Sequence, residues 1–129
     1  MGNVIHFEIM GNDTVKLKKF YADVLGWKIN DANMPGMEYL LADTGQGDGI
    51  NGAIFSNPTQ TQHVINTVEV DDVEAVIEKV KAAGGAIDGD GKIHEIPGIG
   101  THAYIKDVEG IIHGIMKPTA EYKERLSSN

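Results

Sequence analysis

The chain contains no cysteine, which removes disulfide bridges, thiolate nucleophiles and cysteine-based zinc sites together. Any metal site would have to be built from His and carboxylate ligands. Basic residues are also scarce: 11 Lys and Arg stand against 19 Asp and Glu, a net charge of −8. Nucleic acids and anionic membrane surfaces are held by clustered Lys and Arg, so neither is an expected partner. Small molecules and other proteins are left. No apolar run approaches the roughly 18 residues needed to cross a bilayer, and the N-terminus lacks the charged and then apolar stretches of a signal peptide, so the expected location is the cytoplasm.

What the chain does have is itself, twice. Ile5–Ile29 (IHFEIMGNDTVKLKKFYADVLGWKI) and Val64–Asp88 (VINTVEVDDVEAVIEKVKAAGGAID) follow one pattern, with Asp13 matching Asp72, Gly26 matching Gly85 and His6 matching Ile65. All three pairs share a single offset, so the chain is an internal duplication. Its 129 residues suffice for one core without staples, and 16 glycines predict many tight turns between short elements.

In the first copy, Val4–Met10 alternates as a half-buried strand, with Ile5, Phe7 and Ile9 on one face and Val4, His6, Glu8 and Met10 on the other. Asn12 is the expected cap of a helix whose stripe, Leu17, Phe20, Tyr21 and Val24, packs on the strand's apolar face. Gly26 ends the helix. Further strands are expected at Lys28–Asn30, Met37–Ala42 and Ile50–Phe55, with turns at Asn33–Gly36 and Gly45–Gly49. Residues 57–62 are polar, contain Pro58 and read as a linker.

In the second copy, Val64–Val70 is the strand, and Asp71 is the expected cap of a helix buried through Val73, Val76, Ile77 and Val80. Gly84 and Gly85 stop that helix. Ala86–Asp88, Ile93–Ile96, His102–Lys106 and Ile111–Met116 complete the sheet, and residues 119–129 form a charged tail. The expected fold is α+β: two βαβββ modules, about 3–56 and 63–118, forming one domain over 1–118. One such module leaves a sheet face uncovered, so the pair should curve its mixed sheets around a cleft.

VIHFEIMGND with FYADVLGWKI, followed by VEVDDVEAVIEKVKAAGGAI and EIPGIGTHAYIKDVEG, resembles the vicinal oxygen chelate superfamily of glyoxalases, bleomycin-resistance proteins and extradiol dioxygenases. The branch of predicted enzymes related to lactoylglutathione lyase is the most similar. The resemblance spans about Val4–Pro118 and implies a ligand on the first and last strand of each module. On that pattern His6 is the only match, because Ala53, Ile65 and Gly114 stand at the other three positions. A divalent metal needs three or four protein ligands, so this set does not support one; a relocated set of His6, Glu8, His63 and Glu69 is the alternative that strand parity leaves open, and the cofactor is left unassigned.

His6 and Glu8, side by side on the polar face of the first strand, are the expected catalytic pair, His6 because its ordinary pKa suits proton transfer near neutral pH. His63, Thr67 and Glu69 share the parity of Ile65. Asn51 and Phe55 share that of Ala53, and Met116 that of Gly114. These six are the expected substrate-binding residues. Either Tyr39 or Glu38 lines the same space; strand parity leaves open which. His94 and His102, flanking the PGIG turn, are expected at the rim, and His113 on the opposite face from Gly114. The implied function is to act on or bind a small organic molecule, as a lactoylglutathione-lyase-related lyase or isomerase, a dioxygenase-like enzyme, or a non-catalytic sequestering protein. Family members commonly dimerise, so a homodimer is expected.

Overall fold

The computed structural model describes residues 2–45 and 47–127. Gln46 of the expected Gly45–Gly49 turn, and the last two residues of the tail, lie outside the described residues. The chain is α+β and divides into two compact units, residues 6–65 and residues 2–5 with 66–127.

In the unit of residues 6–65, β1 (Val4–Gly11, of which residues 4 and 5 count with the other unit) is followed by α1 (Thr14–Leu25), β2 (Lys28–Asp31), β3 (Leu40–Asp43) and β4 (Gly52–Ser56). The strands lie in the order β2-β3-β4-β1. β1 and β4 are parallel, with Glu8 opposite Ala53, and the other pairs are antiparallel. Ile29, Leu40, Ala42 and Ile54 form the core, with Phe7, Ile9, Leu17, Tyr21 and Trp27 packed on it. Burying Ile54 completely contributes roughly 2 kcal/mol.

In the other unit, β5 (Val64–Glu69, its first two residues counting with the first unit) leads into α2 (Val73–Ala82), β6 (Ala86–Ile87), β7 (His94–Ile96), β8 (Gly100–Lys106), β9 (Ile112–Pro118) and α3 (Ala120–Ser127). The order is β5-β9-β8-β6, with β7 also on β8. β5 and β9 are parallel, with Thr67 opposite Gly114. The core is Val70, Val73, Ile77, Ala103 and Ile115, joined by Val76, Ile87, Ile93 and Ile105. Both units therefore run strand, helix, then antiparallel strands ending on one parallel to the first. The second adds the short β7.

Two expectations about α1 and α2 change. The helices are capped by Asp13 and Asp72, whose carboxylates accept from the amides of Lys16 and Ala75, rather than by Asn12 and Asp71. Asp13 and Asp72 are the matched pair of the duplication, and in each the extended backbone of the cap points its short side chain at the open amide three residues on. The stripe of α1 is narrower than its periodicity implies. Leu17 and Tyr21 pack on the sheet, but Phe20 and Val24 are 55% and 61% exposed. Gly26 closes α1 at φ 73°, a left-handed conformation that glycine adopts without strain.

Candidate functional site

Strand side chains alternate, so each sheet presents a face turned away from its helix. In the unit of residues 6–65, the helix takes Phe7, Ile9, Leu40, Ala42 and Ile54. His6, Glu8, Tyr39, Ala53 and Phe55 fall on the other face. That face is not a solvated one: Glu8 is 5% exposed, Phe55 9% and Ala53 fully buried.

Tyr39 holds its centre. Its hydroxyl donates to Glu8 Oε2 at 2.8 Å and lies 2.9 Å from His6 Nε2. Its ring stacks on that of His6, with centroids 6.4 Å apart and planes 18° from parallel, and meets Phe55 at 5.4 Å. The antiparallel register sets Leu40 against Ile54, which carries Tyr39 to the level of Phe55. The choice between Tyr39 and Glu38 is thereby made. Glu38 points the other way and accepts from Thr14 Oγ1 at the start of α1.

The protonation pattern follows from the bonds. A phenol has one proton, and Tyr39 gives it to Glu8, so its oxygen accepts from His6, whose neutral ring carries hydrogen on Nε2. Burial pushes the His6 pKa down to about 4, so the ring is neutral at neutral pH. A neutral imidazole, a phenol and a carboxylate in one buried chain form an arrangement able to hold and move a proton.

The counterpart face in the other unit carries Thr67, Glu69, His102, Tyr104, Gly114 and Met116. Thr67 is 1% exposed, Met116 6% and His102 8%, and the His102 ring meets Tyr104 edge-on at 4.5 Å. His102, expected at a rim, is inside. A Cβ placed on Gly114 would stand 2.7 Å from Thr67 Oγ1 and 2.9 Å from His102 Nε2, so this position has no room for a side chain. His102 lies opposite Met116 much as Tyr39 lies level with Phe55, which makes it the second unit's equivalent of Tyr39. Alternation along β8 marks it as facing Gly114, a signal available once that strand's start is fixed.

The remaining expected site residues have other partners. Asn51 Oδ1 accepts from the amide of Thr44 at 2.9 Å and from its hydroxyl, closing the loop before β4. His63 is exposed, and its Nδ1 lies 2.9 Å from the carbonyl of Met10, whose amide donates to the His63 carbonyl, so it fastens the end of β1. Glu69 forms an ion pair with Lys123 of α3 at 3.0 Å. His94 pairs with Asp90 at the surface, and His113 with Asp107. Ile65, the match of His6, is 4% exposed. Among the described residues no group of three or more His, Asp or Glu side chains could hold a metal ion.

A model of the Glyoxalase/Bleomycin resistance protein/Dioxygenase superfamily matches residues 3–112. A "Probable lactoylglutathione lyase" of Vibrio parahaemolyticus is 32% identical over 120 residues, covering 84% of this chain and 86% of that protein. Among solved structures, a methylmalonyl-CoA epimerase from Mycobacterium tuberculosis superposes with a TM-score of 0.68 at 14% identity, covering 95% of this chain and 91% of that one. A superfamily member from Vibrio splendidus superposes at 0.59 with 18% identity, covering 91% and 99%. At these identities the two structures establish the fold. The match of the family model over most of the chain, together with the lyase relative, establishes that the chain belongs to the Glyoxalase/Bleomycin resistance protein/Dioxygenase superfamily.

Proposed function

We propose that this protein acts on a small organic molecule at the helix-free face of residues 6–65, with His6 and Glu8 as its polar centre and without the four-ligand metal ion that the family implies. The observation that carries the reading is the hydrogen-bonded series Glu8, Tyr39, His6, set beside the apolar Ala53 and Phe55. A mostly apolar surface with a few converging polar groups is what holds and orients a small ligand. The donor set does not fit the implied ion: of the four expected positions only His6 carries a ligating side chain, since Ala53, Ile65 and Gly114 offer none, and an ion of this kind needs three or four protein ligands. The domain spans 1–118 in two modules joined by residues 57–62, and the molecule is a homodimer.

A second reading, binding without catalysis, is favoured by the same apolar replacements. A thermal-shift panel of divalent metals and small metabolites on wild type and His6→Ala tests both. A ligand present at a hundred times its Kd stabilises by about 2.7 kcal/mol. Stabilisation by organic compounds, reduced in His6→Ala, is the expected outcome, and turnover of such a compound selects the catalytic reading. Stabilisation by Ni²⁺ or Zn²⁺ that His6→Ala abolishes would sink the metal-free site. Light scattering should give twice the chain mass of 13.9 kDa.

A further inference from the structure

We propose that Tyr39 is a proton relay, through which the buried Glu8 carboxylate exchanges its proton by way of the His6 ring. The inference deepens the function proposed above and rests on its assignment of His6 and Glu8. Three observations lead to it. First, Tyr39 stands between the two groups in one unbroken series, 2.9 Å from His6 Nε2 and 2.8 Å from Glu8 Oε2. Second, Glu8 is 5% exposed. Third, the described hydrogen bond of His6 uses Nε2, while among the described residues no buried side-chain nitrogen or oxygen lacks a partner. Nδ1 is therefore not sealed in, and it is the end of the series at which a proton enters or leaves.

The step balances. A proton added to His6 Nδ1 makes the ring cationic. The Nε2–H bond then breaks as that proton joins the Tyr39 oxygen, while the Tyr39 O–H bond breaks as its proton joins Glu8 Oε2. The ring ends neutral with hydrogen on Nδ1, the phenol is again neutral, and Glu8 is a carboxylic acid. Reversal turns Glu8 back into a carboxylate and returns the proton to the outer nitrogen. Tyr39 thus joins the site as the group that couples its base to its exchangeable end, a role that neither His6 nor Glu8 can fill alone across the phenol between them.

The ring tautomer reports the relay without any ligand. Nitrogen-15 NMR of labelled histidine should show neutral His6 with hydrogen predominantly on Nε2 in wild type. In Glu8→Leu the carboxylate that accepts the Tyr39 proton is gone, so His6 should shift toward the Nδ1–H form. In the Tyr39→Phe background the Glu8→Leu change should leave the tautomer where Tyr39→Phe alone puts it. A tautomer that ignores Glu8→Leu, or that responds to it equally with and without the Tyr39 hydroxyl, overturns the relay. Should Glu8→Leu not fold, acid titration of wild type and Tyr39→Phe makes the same comparison, with the Glu8 carboxyl followed by carbon-13 and the His6 ring by nitrogen-15. Linked titration only in wild type is expected, and equal linkage in both overturns the proposal. Because these readings need no metabolite or metal, their failure is separable from failure of the binding panel.

Discussion

Two single residues carry most of what is testable. Gly114 has its side-chain space filled by Thr67 and His102, and its φ lies outside the left-handed region, so a methyl group there meets neighbours and not backbone strain. Gly114→Ala should cost about 1–3 kcal/mol by overpacking, read as a lower urea midpoint at unchanged slope. The cost should shrink in a His102→Ala background, since removing the ring reopens the space and neighbouring substitutions couple. His6 sets a pH dependence. Its ring titrates near 6.5 unfolded and near 4 folded, so between those values the unfolded chain binds more protons. Stability from this group is full above about pH 6.5 and falls as the pH drops toward 4, by up to roughly 3 kcal/mol. His6→Gln should flatten that part of the stability curve.

At the scale of elements, the duplication shows best in the caps. Asp13 and Asp72 have the same extended backbone and the same bond to the third amide of their helices. Asp13→Ala and Asp72→Ala should each cost ~1 kcal/mol, and the two losses should add, because the caps belong to different units and share no partner. The apolar run of α1 separates in the opposite sense. Leu17 is packed on the core while Phe20 is exposed. Leu17→Ala should therefore cost about 2 kcal/mol or more, and Phe20→Ser no more than about 0.5 kcal/mol, both measured by chemical denaturation.

For the molecule as a whole, the acidic balance is the main global term. A net charge of −8 spread over 129 residues destabilises a compact state through self-repulsion. Moderate NaCl shortens the range of that repulsion to about 10 Å at 0.1 M, so the unfolding midpoint at neutral pH should rise from low to moderate ionic strength. No described helix is long and apolar enough to cross a membrane.

Periodicity and duplication made the order of strands and helices readable, because alternation and the 3.6-residue repeat are local consequences of backbone geometry. They also placed His6 and Glu8 on one face of the first strand. Three things needed the third dimension. Cap choice between Asn12 and Asp13 turned on one residue's φ and ψ, to which composition is blind. Burial of Glu8 and His102 is a property of the folded chain, and a strand's own alternation tells which face a residue takes but not whether that face is buried. The bond from Tyr39 to both His6 and Glu8 depends on the register of β3 against β4, which joins residues 31 and 33 positions apart. The sequence by itself thus determined the repeated architecture and the family. Which side chains share a hydrogen bond was decided by sheet register, since a slip of one residue would have put Glu38 in the place of Tyr39.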